Sequence, residues 1–241
     1  MSRFVFVVPA FNVEKIVRQS LLSVYAQTHQ DWKIIIRDDL STDNTVAVIE
    51  DFKTRFDLKD KIDIQVNTEK KWEVKNVIEM ISQCKDDDII CRLDADDWLV
   101  DLDILSILNH RYNHEGVDAA WTAHRWAFTH NNISQPLPNN VDVYTYPWVT
   151  SHFKTFRKSL INNIKDENFR GIDGEYFKRI GDQAIYLPVL HVAKKRHFEP
   201  VVAYHYTIDM KSETFQSDDA KFQKSEADFL RKRGFLENKL L

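Results

Sequence analysis

The chain has 241 residues, 43% apolar and 12% aromatic, enough to bury a large core within one domain. Its formal net charge of -4 gives no global basic field with which to recruit nucleic acid or an anionic membrane. Cys84 and Cys91 are the only cysteines, which excludes a disulfide framework and a zinc knuckle. Both are expected as reduced core thiols of a cytoplasmic protein.

In chain order, RFVFVV (3–8) reads as a buried strand. The apolar run at 4–11 is far shorter than the ~20 residues of a membrane-spanning helix. It leads into Asn12, Glu14 and Lys15 without a cleavage pattern, so neither a transmembrane segment nor a signal peptide is expected. Val13, Ile16, Val17, Leu21 and Val24 form the stripe of a helix over 13–27. WKIIIR (32–37) is a second strand, and 43–56 a second helix with Ser41 or Thr42 as its cap. The pattern repeats through strand 61–66, helix 73–83, strand 88–93 and helix 101–112. Continuous apolar strands alternating with helices predict an α/β fold: a mostly parallel central sheet with helices on both faces.

Beyond residue 115 the rhythm breaks. VDAAWTAH reads as a strand, HNNISQP as a turn, and 136–157 as loop without clear period. Helices are expected near 158–164 and over 182–193, then RHFEPVVAYHY as a strand pair. An amphipathic charged helix over 217–239 closes the chain. One domain is expected, with a first half at 1–115, a loop-rich half at 116–216 and the C-terminal helix at 217–241.

All five glycines lie at or after Gly116, so the first half has no glycine loop to hold phosphates. Ligands of an open parallel sheet bind beyond the carboxyl ends of its strands. There the chain carries VVPAFN, IIIRDDLSTDNT and CRLDADDW. Asp94, Asp96 and Asp97 repel one another unless a cation offsets them. A D-x-D at a strand exit offers hard oxygen ligands to Mg2+ or Mn2+ together with substrate phosphates; the bland alternative is a solvated acidic turn. An EF-hand is excluded, because Leu105 stands at the twelfth position.

These three segments, in this order and spacing, resemble the nucleotide-sugar-binding half of family 2 glycosyltransferases, whose fold is termed GT-A, over residues 3–100. TFRKSL and GDQAIYLPVLHVA resemble acceptor-side segments of the same family. The resemblance implies that Pro9, Ala10, Phe11 and Asn12 wall the nucleotide pocket and that Asp38 or Asp39 bonds the base or ribose. A carboxylate can accept the N–H of a uracil edge. Asp94 would lie toward the ribose with Ala95 beside it, and Asp96 would hold Mn2+ or Mg2+ on the diphosphate. Lys71 and Lys75, in NTEKKWEVKN, stand near the family's N-x-G-x-x-x-A-R-N pattern and are candidates for the donor.

The same resemblance makes Asp182 the base, with Gly181 where the family often has Glu; Asp173 and Glu175 are substitutes, and capping of a helix is the alternative use of Asp182. In YHYTIDMKSET, His205 would complete the metal shell or contact phosphate, and Lys211 would neutralise the leaving group. Trp148, His152, Lys154 and Arg157 combine aromatic faces with donors and are acceptor-side candidates. The last helix sets Phe222, Phe229, Leu230, Phe235 and Leu236 against basic residues at 231–233. It would pack back on the domain or serve as a peripheral membrane or partner contact.

The implied activity is metal-dependent, inverting transfer of a sugar from a nucleotide-diphosphate donor, UDP-sugar above others, to an acceptor hydroxyl. That hydroxyl could belong to a glycan, a lipid-linked sugar, a protein or a modified base. Two rivals remain: a D-x-D phosphatase of the haloacid-dehalogenase type, which carries the motif on its first strand, and a GT-A-shaped donor-binding module without turnover.

Overall fold

The structure, a computed structural model, describes residues 2–127, 129, 131–208 and 217–237. Four parallel strands form its first half: β1 (Phe4–Ala10), β2 (Trp32–Asp38), β3 (Ile62–Val66) and β4 (Ile89–Arg92). Between them run α1 (Val17–Tyr25), α2 (Thr45–Arg55) and α3 (Trp72–Ile81). Side chains alternate across a strand, and the two faces of β1 bury different partners. Phe4, Phe6 and Val8 pack with α1, α2 and α4 (Ile104–His114), while Val5 and Val7 pack with α3 and α5 (Gly181–Val192);.

The same sheet continues into the second half through β5 (Trp98–Leu99), β6 (Ala119–Trp126), β7 (Lys154–Arg157) and β8 (Arg196–Tyr206). Strand order is β3-β2-β1-β4-β7-β6-β8-β5, with β7 antiparallel to β4 and β6. Residues 154–157, expected as loop, are therefore a strand in the middle of the sheet. Four residues are too few to show a period. RHFEPVVAYHY is one strand rather than a pair. Glu199 aligns with Thr122 and Val202 with Ala123, so Pro200 and Val201 bulge from the ladder where proline lacks a donor. The helix expected near 158–164 is a 3₁₀ segment, Lys158–Asn163.

Polar ties fix the loops at the carboxyl edge. Ser41 does not cap α2; its Oγ accepts the Asn12 N–H at 2.9 Å. The Asp43 carboxylate accepts the N–H of Glu14 at 3.1 Å and of Thr45 at 3.0 Å. Asn12, Leu40 and Trp72 have φ of 53°, 69° and 62°, so the backbone is strained in two loops and at the start of α3 on this edge.

The final helix, α6 (Ser217–Arg233), ends earlier than expected, at Gly234 with φ 71°, whose N–H bonds the Leu230 carbonyl. Leu230 is buried, and Arg231 donates to Gln183 Oε1 and to the carbonyls of Tyr144 and Tyr146. That face packs back on the protein, whereas Phe222 is exposed. Among the described residues no helix is long and apolar enough to cross a membrane.

Candidate active site

Two cavities, of 320 and 590 Å3, meet at the carboxyl edge and share Glu73, Asp94, Asp96, Arg179 and Gln223. The smaller is walled by Pro9, Ala10 and Phe11 from the end of β1, with Asp39 and Ala95. Asn12 lies outside the lining and ties the neighbouring loop, its Oδ1 accepting the Thr42 N–H at 2.8 Å. The Asp39 carboxylate accepts the N–H groups of Lys71 (2.8 Å) and Trp72 (2.9 Å) and the Asn67 amide (2.8 Å). Burial opposes its charge, but these donors hold its pKa below the ordinary carboxylate value. Asp38 points elsewhere: it is fully buried, accepts the Ser41 N–H at 2.9 Å and does not line the cavity.

Lys71 and Lys75 do not reach this cavity. Lys71 pairs with Glu79 at 2.8 Å and Lys75 with Glu69 at 3.7 Å, both beside a third cavity of 190 Å3 that Glu175 also lines. The cations that line the smaller cavity are instead Lys70, whose Nζ lies 3.1 Å from the centre of the Phe11 ring, Lys178, and Arg179, 4.6 Å from the Trp72 ring. Arg179 also pairs with Asp219 of α6 at 2.8 Å.

The three aspartates after β4 have separate environments. Asp97 is buried and accepts the Tyr204 hydroxyl at 2.8 Å and the Thr207 N–H at 2.7 Å. Burial, then Asp96 and Asp94, pushes its pKa well above the carboxylate range. It anchors β8 to the acidic turn. Asp94 is half-buried, bonded at 3.0 Å by Arg92 Nη2, which also reaches Glu73 at 2.6 Å. Asp96 is exposed and lines both cavities.

Asp182, in the first turn of α5, lines the larger cavity with Trp148 and His152. Its Oδ1 lies 2.5 Å from Lys154 Nζ and its Oδ2 3.6 Å from His152 Nε2. Burial works against the Asp182 charge, but Lys154, His152 and Arg92 together hold its pKa far below the ordinary value. Burial and Lys154 drive His152 the other way, well below its usual pKa, so its ring is neutral at pH 7. Lys154 Nζ, a donor only, sits 3.3 Å from Nδ1, which leaves the proton on Nε2, facing Asp182. The ring is stacked on Tyr204 and Tyr206.

Ligand atoms of Asp94, His152 and Asp182 lie within 4.8 Å of one another. Buried Lys154 and Arg92 already neutralise that trio. Asp96, exposed, and Asp94 line both cavities and offer hard carboxylate oxygens, the donor type that Mg2+ and Mn2+ take.

His205 is stacked on Trp98 at 3.9 Å and lines neither cavity. Arg157 bonds the carbonyls of Val117 and Tyr112, away from both cavities. Asp173 is exposed in the turn before Tyr176 and lines neither cavity. Lys211 lies outside the described residues. Lys70, Trp72, Glu73 and Arg179 line the cavities, and Arg92 bonds Asp94, without a sequence motif that marks them. Arg92, a lone cation inside an apolar strand and two residues before Asp94, was the readable signal among them.

The family model described as "Glycosyl transferase family 2" matches residues 5–181. A poly-beta-1,6-N-acetyl-D-glucosamine synthase of Staphylococcus epidermidis is 34% identical over 91 residues, covering 38% of this chain and 21% of that protein. The putative glycosyltransferase EpsE of Bacillus subtilis is 28% identical over 87 residues, covering 36% of this chain and 30% of that one. The chain thus spans less than a third of the curated relatives it matches. Among solved structures, S. aureus TarS 1–349 in complex with UDP-GlcNAc superposes with TM-score 0.68 at 15% identity, covering 91% of this chain and 64% of that one. The mannosyltransferase PcManGT of Pyrobaculum calidifontis, in complex with GDP-Man and Mn2+, superposes with TM-score 0.70 at 14% identity, covering 98% and 66%. At these identities the superpositions establish the fold.

Proposed function

The chain belongs to glycosyl transferase family 2, and from that premise we propose that it moves a sugar from a nucleotide-diphosphate donor, UDP-sugar first among them, to an acceptor hydroxyl with inversion. The observation that carries the proposal is the meeting of two cavities at Asp94 and Asp96. One is walled by Phe11 and Asp39 and suits a nucleoside; the other leads past Trp148 to Asp182 and suits an acceptor.

In this reading Asp39 accepts the base N–H, Asp94 faces the ribose, and Lys70 and Arg179 flank the phosphates. Asp96 and Asp94 would hold Mn2+ or Mg2+, which when bound stabilises charge on the leaving diphosphate. Asp182 holds the acceptor hydroxyl opposite the leaving group and receives its proton, so that the oxygen attacks the anomeric carbon in one displacement. His152 and Lys154 fix the Asp182 carboxylate from behind.

A second reading, donor binding without turnover, is favoured by one observation: an Asp182 held anionic by Lys154 is a weak base. A thermal-shift panel of nucleotide sugars with and without Mn2+, followed by assay of nucleotide release, separates the two. Stabilisation by a UDP-sugar in Mn2+ with release of UDP is the expected outcome. Stabilisation with no release against any acceptor favours the second reading, and no shift with any nucleotide diphosphate refutes both.

A further inference from the structure

Glycine is required where the backbone is left-handed or where a side chain has no room. Gly116, Gly174 and Gly234 have positive φ; Gly181 does not. What distinguishes Gly181 is space. A Cβ there would overlap the Glu73 carboxylate, which arrives from the first turn of α3 into the gap at the start of α5. Glu73 bonds Arg92 through Oε1 at 2.6 Å, and among the described residues its Oε2 takes no hydrogen bond. The side chain keeps 31% of its surface open, and it lines both cavities. The neighbouring Asp182, by contrast, has one oxygen on Lys154 and the other toward His152.

We infer that Glu73 is a substrate-binding carboxylate at the junction of the two cavities, its open oxygen accepting a second acceptor O–H (a neighbouring sugar hydroxyl, or the other hydrogen of water) beside the one that gives its proton to Asp182, and that Gly181 is bare in order to admit it. The inference rests on the donor-and-acceptor reading proposed above. It assigns Glu73 to the acceptor, where the sequence segment around it pointed only to the donor. It also makes positions 73 and 181 a single slot fed from two helices, so a carboxylate can be removed from one and returned from the other.

The test uses the full chain, UDP-GlcNAc with Mn2+, and water as acceptor. UDP release and UDP affinity are measured for wild type, Glu73→Ala, Glu73→Gln, Gly181→Ala and the double variant Glu73→Ala with Gly181→Glu. UDP affinity is expected to stay within about threefold throughout, because Phe11, Asp39, Asp94 and Asp96 are unchanged. Release is expected to fall at least about tenfold in Glu73→Ala, and to fall also in Gly181→Ala, whose methyl displaces the carboxylate. Glu73→Gln, which keeps an accepting oxygen, is expected to lose less. The double variant is expected to recover at least about threefold over Glu73→Ala. Wild-type release in Glu73→Ala with UDP bound normally overturns the inference alone. So does a parallel loss of release, UDP affinity and melting temperature without recovery in the double variant, the mark of a structural role. Failure of wild type to bind UDP overturns the donor reading and the inference with it.

Discussion

Lys154 Nζ lies 2.5 Å from Asp182 Oδ1, joining the central antiparallel strand to the first turn of α5 through a buried ammonium. Removing one partner of a buried pair leaves the other charge uncompensated. About a third of the Asp182 side chain faces the cavity, so Lys154→Met is expected to cost roughly 2–4 kcal/mol, at the low end for such breaks. The pH dependence has a definite sign. The Asp182 pKa is depressed in the folded state, so its contribution is present above the unfolded value and lost as pH falls through the folded one. Thermal unfolding of Lys154→Met should therefore show its largest deficit near neutral pH, shrinking below pH 4. A deficit that grows with acid would contradict the ion pair.

Tyr204→Phe tests whether Asp97 is an anchor. The hydroxyl donates to Asp97 and also accepts the Asp94 N–H at 3.3 Å, so one atom ties β8 to both ends of the acidic turn. Its loss leaves a buried carboxyl oxygen with one partner fewer, at an expected cost of about 1–3 kcal/mol. Urea unfolding should show a lower midpoint with unchanged slope. An unchanged midpoint would mean that Asp97 needs no such partner.

The first half of the fold was legible because β1, β2 and β4 are buried on both faces and its helices carry a clear stripe, as in Phe4–Val8 and Val17–Val24. The second half hid its architecture. β7 is four residues long, and the Pro200 bulge made one strand look like two. The smaller cavity was readable where motif and backbone coincide, at Pro9–Phe11 and Asp94–Asp96, which all line it. Charge pairs were not readable, because their partners stand at no regular helical or strand spacing. Lys71 and Lys75 turn toward Glu79 and Glu69, while Glu73 finds Arg92 and the space over Gly181.

Glu73→Gln should flatten the pH dependence of stability in metal-free buffer. Burial raises the Glu73 pKa to about 7, with Asp94 and Asp182 adding to the effect against Arg92. A carboxyl raised in the folded state contributes stability that is present below its unfolded value and lost as pH rises through about 7. Wild type should therefore lose melting temperature between pH 5 and 8 relative to the Gln variant, which has no proton to lose. Parallel Tm curves for the two proteins would show that Glu73 does not titrate in this window.

Asp96→Ala separates donor chemistry from folding. Asp96 is exposed and outside the core, so the variant is expected to fold, which its thermal melt checks. Asp94→Ala is a poorer probe, since it removes a partner from buried Arg92 and leaves Glu73 to balance that charge alone. If Asp96 helps hold Mn2+ on a diphosphate, UDP affinity measured by calorimetry should fall at least about tenfold in Mn2+ and change little in EDTA. Equal losses in both buffers would place Asp96 on the nucleotide rather than on the metal. Unchanged affinity in Mn2+ would remove it from the donor site, and with it the reason for an exposed carboxylate where the two cavities meet.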